Sequence, residues 1–329
     1  MSESDLLVWQ DRQWRQCMAG KSIRRLPHGL LCYGPAGLGK TLFAERLAQA
    51  LLCQRPQVDG SPCGVCRACR LFSVGNHPDF TLVEPADGGK PIRVDQIRQL
   101  NEFLGYTSKL GGYKIALIAP ADALNINAAN SLLKTLEEPP PQCVLILVTA
   151  SPSRLAATVR SRCQDLGFTL PPREQALAWL AGCLQGNGMN PDPALLLNLS
   201  GDAPLAALAL AEPGRWARRR TLFEVYRNLL LGKIDPIRAA EIWLSAPLAE
   251  SIRWLSGWHI DMIRLKMVSA SRLLNVDLEQ ALLGLAAQLP TRVLFQRLDA
   301  VYQLQQLAET TQVNPRIMIE GFFSSCTGE

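Results

Sequence analysis

Hydrophobic residues in the first half of the chain alternate between short continuous runs and helical spacing. Four apolar runs have the length expected of buried strands. They span residues 30–33, 80–83, 113–118 and 143–149. Between them, three segments place apolar side chains three and four residues apart, as amphipathic helices do. These span residues 40–52, 94–104 and 128–137. Strands that alternate with helices predict an α/β fold, with a parallel sheet covered by helices on both faces.

The pattern changes after residue 170, where Pro171 and Pro172 interrupt the chain and only helical spacing follows. The predicted helices span residues 174–184, 193–199, 204–210, 216–231, 236–243, 248–267, 277–287 and 291–310. We therefore predict an α/β domain at residues 1–165, a small helical lid domain at 166–208, and an all-α C-terminal domain at 209–329.

Composition changes this picture little. Hydrophobic residues make up 48% of the 329 residues, enough for two or three packed domains. The net charge of +5 is compatible with an acidic partner or nucleic acid, but it is far below that of a polycation. No secretory signal is visible, and the apolar runs are much shorter than the roughly 20 residues of a membrane helix. We expect a cytoplasmic protein whose ten cysteines are thiols or metal ligands.

A phosphate-binding pattern, GxxxxGK[ST], follows the first strand and opens the first helix. Its glycines allow backbone N–H groups to turn toward an anion, and the helix N-terminus adds partial positive charge. Lys40 is expected to reach the β- and γ-phosphates, and Thr41 to bind magnesium. A glycine turn without a ligand is the alternative. The candidate nucleotide ligands are Gly34, Pro35, Ala36, Gly37, Leu38, Gly39, Lys40 and Thr41.

The acids that nucleotide hydrolysis requires are missing from the next expected position. A magnesium-orienting Asp and a water-activating acid usually end a neighbouring strand. The strand at 113–118 instead runs into Ala119 and Pro120, and Asp122 comes about one helical turn later, where we interpret it as a helix cap. Losing a general base costs roughly 10²- to 10⁴-fold in rate. ATP or ADP with Mg²⁺ is therefore expected to bind without efficient hydrolysis.

Four cysteines, Cys53, Cys63, Cys66 and Cys69, have the spacing C-x9-C-x2-C-x2-C. Two-residue gaps between cysteines suit a tetrahedral metal ion, and four protein ligands leave no open position for catalysis. The spacing predicts a structural Zn²⁺ module at residues 53–69. An iron–sulfur cluster and unmetallated thiols are the alternatives.

Arg162 lies in a Ser-Arg-Cys sequence after a short helical segment. An arginine in this position is either a helix cap or surface ion pair, or an arginine supplied to the ATP site of another subunit.

Together with the phosphate loop and the four cysteines, the Ser-Arg-Cys sequence and the run Asn-Ser-Leu-Leu-Lys-Thr-Leu-Glu-Glu-Pro-Pro at residues 130–140 resemble the clamp-loader family of AAA+ proteins. The matching motifs cover about residues 30–165. The rest of the chain agrees only in its helical character and length.

The resemblance implies a place in a five-subunit ring whose C-terminal helices form a collar. The implied partners are motor subunits of gamma or tau type and a delta-type subunit. Through the complex they also include the sliding clamp and primer–template DNA, with no membrane. The resemblance also implies a stationary, non-hydrolysing role for this chain, in which Arg162 acts catalytically in trans. Thr149 matches the position that senses a γ-phosphate, and Leu205 stands where motor subunits carry a second sensor arginine.

Two other functions are compatible with the sequence. The chain could be an active ATPase motor of the same family, or a stand-alone zinc-dependent nucleic-acid binder. The basic run Arg215, Arg218, Arg219 and Arg220 is interpreted as a solvated helix face or a set of DNA contacts. Trp243, Trp254 and Trp258 are predicted to pack in the helical core rather than to stack on bases.

Overall fold

The computed structural model describes residues 7–22, 26–86, 91–185, 191–267, 273–310 and 314–327. The chain divides into two compact units, Met1–Pro171 and Pro172–Glu329.

The first unit is built on a five-stranded, fully parallel sheet with strand order β2-β3-β4-β1-β5. Its strands are β1 (Gly29–Tyr33), β2 (Phe80–Val83), β3 (Lys114–Ile118), β4 (Cys143–Thr149) and β5 (Gln164–Gly167). Strands β3 and β4 are buried along their whole length, which is why their sequences are continuously apolar. The four predicted strands and the predicted parallel sheet are confirmed.

The described residues of the first unit also form six α-helices. They are α1 (Asp11–Ser22), α2 (Lys40–Leu52), α3 (Arg67–Ser73), α4 (Val94–Gly105), α5 (Ile126–Glu137) and α6 (Ala157–Arg160). Helices α4 and α5 pack together through buried side chains that include Ile97, Leu100, Leu132 and Leu136. These side chains occupy the apolar positions that produced the helical spacing in the sequence.

The fifth strand was not predicted. Only Leu166 of β5 is fully buried, so the segment has no apolar run. Strand β5 crosses the predicted domain boundary at residue 165, and the compact unit ends at Pro171. Helices α1 and α3 were also missed.

The second unit is helical throughout its described residues. Its helices are α7 (Arg173–Leu184), α8 (Pro193–Leu199), α9 (Pro204–Leu210), α10 (Pro213–Leu230), α11 (Pro236–Trp243), α12 (Leu248–Met267), α13 (Glu279–Gln288), α14 (Thr291–Thr310) and α15 (Pro315–Thr327). One apolar cluster includes residues on both sides of the predicted boundary at residue 208, and the division into lid and collar stays a prediction.

Aromatic side chains fill the centre of this helical unit. Trp243, Trp254 and Trp258 are all buried, which confirms the core interpretation. Phe223 meets Trp258 edge-on at 5.1 Å between ring centroids, and Phe323 meets Trp243 in the same way at 5.1 Å. Such pairs stabilise a core beyond their area burial.

Within the described ranges, no single helix combines the length and apolar composition needed to cross a membrane. Helices α8 and α9 meet that criterion only when taken as a pair, and they are bent by 109°.

The basic run on α10 does not form a uniform surface. Arg219 is fully buried, where it donates to Asp277 at 2.7 Å and to Asn275 at 2.6 Å. Arg215 donates to Glu250 at 2.6 Å. Both interpretations of Arg219 were therefore wrong, because its guanidinium ties α10 to the segment before α13 instead of facing solvent or DNA.

Replacing Arg219 with alanine is expected to lower the free energy of unfolding by about 3–5 kcal/mol, as for other buried ion pairs that lose one partner. Chemical denaturation with circular dichroism measures this. The control is Arg220→Ala, one residue along and exposed, where the change should stay within about 0.5 kcal/mol. Equal effects from the two variants would contradict the core role of Arg219.

Candidate functional site

The predicted phosphate loop lies between the end of β1 and the start of α2. Gly34, Gly37 and Gly39 have φ values of 144°, 78° and 75°, a region that suits glycine. A Cβ on Gly34 would lie 2.1 Å from the carbonyl oxygen of Phe168. The loop therefore brings residues 34–41 together at the N-terminus of a 13-residue helix, an arrangement that fits a bound phosphate.

Lys40 is folded back onto this loop. Its ammonium group donates to the carbonyl oxygens of Gly34 at 2.8 Å and Pro35 at 2.7 Å. Burial lowers the pKa of Lys40, while the nearby negative charge of Asp122 acts in the opposite direction. Two of the three ammonium N–H donors are thus engaged by the loop itself.

Two side chains just before α1 donate hydrogen bonds to backbone carbonyl oxygens of the loop. The Gln10 amide donates to the carbonyl oxygens of Leu38 and Gly39, both at 2.9 Å. The Trp9 indole donates to the same Leu38 oxygen at 3.1 Å. Sequence reasoning missed both residues, because no motif marks a side chain that supports a loop from 28 or 29 residues away.

Thr149 ends β4 directly beside Tyr33 of β1, the residue that precedes the loop. It is buried, its hydroxyl donates to an Asp122 carboxylate oxygen, and it accepts from the N–H of Ser151 at 2.9 Å. Asp122 lies inside a short 3-10 helix, Ala121–Ala123, whose N-cap residue is Pro120. The prediction of Asp122 as a helix cap was therefore wrong.

The four candidate metal ligands lie together, as the spacing predicted. All four sulfur atoms are within 4.8 Å of one another. The Cys53 sulfur is 3.6 Å from that of Cys63 and 3.9 Å from that of Cys66. Zinc bonded to four sulfurs at about 2.3 Å needs sulfur separations of about 3.8 Å. The cluster could therefore hold a metal ion such as zinc.

Backbone N–H groups point at the sulfurs of this cluster. The N–H of Cys66 donates to Cys63, and the N–H of Cys69 donates to Cys66, each at 3.4 Å. Burial opposes the Cys66 thiolate, but hydrogen bonds from backbone N–H groups and from the Cys69 and Cys63 thiols together outweigh it and lower the pKa of Cys66 to about 6. Hydrogen bonding thus favours the thiolate at Cys66, and backbone N–H groups also lower the pKa of Cys63, whereas burial raises the pKa of Cys53 and of Cys69.

Arg162 lies at the surface and forms an ion pair with Glu137, the last residue of α5. Its Nε donates to a Glu137 carboxylate oxygen at 2.9 Å, and its terminal nitrogen lies 2.7 Å from the same oxygen. A third donor reaches the carbonyl oxygen of Thr158 at 2.9 Å. The Arg162 side chain remains 36% exposed.

The backbone of Arg162 lies at the opposite end of β1 from the phosphate loop. Its carbonyl oxygen is 3.3 Å from the position of a Cβ built on Gly29, where β1 begins. Gly34 is five residues further on, about 16 Å along an extended strand. The Arg162 guanidinium is held on Glu137, away from the loop of its own chain.

Comparison with known proteins identifies the family. The model described as "DNA polymerase III, delta subunit" matches residues 9–171, and its C-terminal counterpart matches residues 213–324. A DNA polymerase III subunit delta' from Pseudomonas aeruginosa is 42% identical, covering 80% of this chain and 79% of that protein. The chain belongs to the delta-prime family of DNA polymerase III subunits.

Two further relatives match this chain. The delta-prime subunit of Escherichia coli K12 is 34% identical over 94% of this chain and 92% of its own length. The tau subunit of Bacillus subtilis is 37% identical over 44% of this chain and 25% of its own length. The similarity to delta-prime proteins therefore extends across both compact units.

Replacing Gly34 with alanine is expected to lower the free energy of unfolding by at least about 2 kcal/mol, because it adds backbone strain and a clash with Phe168. Denaturant midpoints measure the loss. Gly105→Ala is the control in the same unit, since a Cβ there meets no atom within 4 Å. If Gly34→Ala proved as mild as the control, the described loop conformation would be incorrect.

Proposed function

We propose that this delta-prime protein is a non-hydrolysing, stator-like subunit of a clamp loader. In this proposal Arg162 enters the ATP site of a neighbouring motor subunit and stabilises charge that develops during hydrolysis. Its partners are gamma- or tau-type motor subunits and a delta-type subunit in a five-subunit ring. The ring places a sliding clamp on primer–template DNA, and residues 209–329 supply the collar.

The single observation that carries the trans role is the position of Arg162. Its backbone lies at the start of β1, about 16 Å along the strand from the phosphate loop. Its side chain is partly exposed and oriented by Glu137. An arginine so placed is available to another chain but is held away from its own loop.

The strand end supports the absence of hydrolysis. Ala119 and Pro120 follow β3 where a motor subunit needs acids, and neither can bind magnesium or accept a proton. We propose that residues 34–41 bind ATP or ADP, with Mg²⁺ at Thr41, as a structural ligand. The sensor roles of Thr149 and Leu205 belong to the same proposal.

The active-motor alternative has one observation in its favour. Asp122 is an acid close enough to Lys40 to affect its pKa, and it contacts Thr149. Asp122 does not sit at the strand end itself, and its carboxylate already accepts from the Thr149 hydroxyl. We therefore favour the stator role.

For the cysteine cluster we propose a structural Zn²⁺ ion bound by Cys53, Cys63, Cys66 and Cys69. The sulfur separations of 3.6 and 3.9 Å and the backbone N–H donors to sulfur suit a thiolate–zinc site. When bound, the ion would cross-link the end of α2 to α3, the helix that Cys66 caps.

The trans role predicts the behaviour of Arg162→Ala in a reconstituted ring. The ring should still assemble. Hydrolysis should fall by at least about 10³-fold at the neighbouring ATP site that Arg162 is proposed to enter. Single-turnover ATPase assays with primed DNA and clamp measure that site. Arg162→Lys should also fail, because an ammonium lacks the planar guanidinium fork.

Arg160→Ala, at an exposed arginine two residues earlier, is the matched control and should keep the full rate. Native mass spectrometry establishes assembly for every variant. An unchanged rate in an assembled Arg162→Ala ring would refute the trans role.

The zinc proposal predicts about one zinc per chain by elemental analysis. Cys66→Ser should lose the metal and destabilise the module, since structural zinc binding contributes on the order of 10 kcal/mol. Cys183→Ser, in α7 and outside the cluster, should retain it. Full stability without metal would contradict the structural role, and bound iron would favour a cluster instead.

A further inference from the structure

The hydroxyl of Thr149 has no donor left for a phosphate. A threonine hydroxyl carries one O–H, and that of Thr149 points to Asp122. The same oxygen accepts from the N–H of Ser151 at 2.9 Å. The residue proposed to sense a γ-phosphate is therefore already engaged inside its own chain.

The carboxylate that engages Thr149 also lies within electrostatic range of the phosphate loop. The Asp122 carboxylate oxygen accepts from Thr149 at the end of β4, and the Asp122 charge raises the pKa of Lys40 against the larger lowering effect of burial. Thr149 is paired in register with Tyr33, the residue before the loop, and Asp122 is hydrogen-bonded to Thr149, so both lie near the start of the loop.

We propose that Asp122 makes the phosphate loop selective for a nucleoside diphosphate over a triphosphate. This inference rests on the proposed nucleotide binding at residues 34–41. Asp122 acts twice: it occupies the only donor of Thr149, and it sets a negative charge beside the site of the third phosphate. A diphosphate meets the same glycines and Lys40 without either penalty.

The charge effect can be separated from the hydrogen-bond effect by substitution. Asp122→Asn removes the charge, keeps the side-chain shape and still accepts from Thr149. Asp122→Ala removes the charge and also frees the Thr149 hydroxyl. Adding Thr149→Val to Asp122→Ala then removes the freed donor. Asp95→Asn, at an exposed carboxylate paired with Arg98, controls for net charge.

Isothermal titration calorimetry of the purified full chain with ADP and with ATP, each with Mg²⁺, tests the inference. The wild-type chain should bind ADP about tenfold more tightly than ATP, as expected for one added like-charge contact. Asp122→Asn should raise ATP affinity about tenfold and change ADP affinity less than about twofold. Asp122→Ala should raise ATP affinity further, and the added Thr149→Val should cancel that extra gain.

Lys40→Ala should abolish binding of both nucleotides, which would locate them at the loop, and Asp95→Asn should leave the preference unchanged. Weaker ATP binding in Asp122→Asn would overturn the inference, because Asp122 would then be a magnesium ligand. Equal changes for ADP and ATP would overturn it as well. If neither wild type nor Asp122→Asn bound any nucleotide, the inference would fail, while the role of Arg162 would still be decided by the reconstituted ring.

Discussion

The parallel pairing of β4 with both β1 and β3 is the constraint on which the rest of the first unit depends. In a parallel sheet the carboxyl ends of neighbouring strands meet at one edge, where ligands bind. The register sets Thr149 beside Tyr33 and Leu147 beside Ile118. The segments that follow these three strands therefore converge. The glycine loop follows β1, Ala119 and Pro120 follow β3, and β4 ends at Thr149, whose hydroxyl donates to Asp122.

The two proposed functions lie at opposite ends of strand β1. The proposed phosphate site follows the end of β1, whereas the backbone of Arg162 lies beside its start. Its ion pair with Glu137 is exposed on both sides, and pairs of that kind contribute only about 0–1 kcal/mol. The pair can orient the guanidinium without locking it, so an incoming phosphate group on a neighbouring subunit can compete for its donors.

Much of this architecture could be predicted because its physical causes are local. Buried strands need continuous apolar runs, and a phosphate-type loop needs glycines where φ is positive. A four-sulfur cluster needs closely spaced cysteines. Each requirement produces a recognisable pattern in the sequence. Strand β5 left none, because only Leu166 is fully buried. The contacts of Asp122 with Thr149 and of Gln10 with Leu38 join distant segments, and only the folded chain brings those partners together.

We propose that residues 34–41 bind phosphate while no acid beside them activates water. The most direct measurement is steady-state ATP turnover by the purified chain alone, with Lys40→Ala as the reference for background. The account predicts the same rate for both proteins. Turnover well above background in the wild-type chain, lost in Lys40→Ala and in Asp122→Ala, would contradict it and identify an active motor.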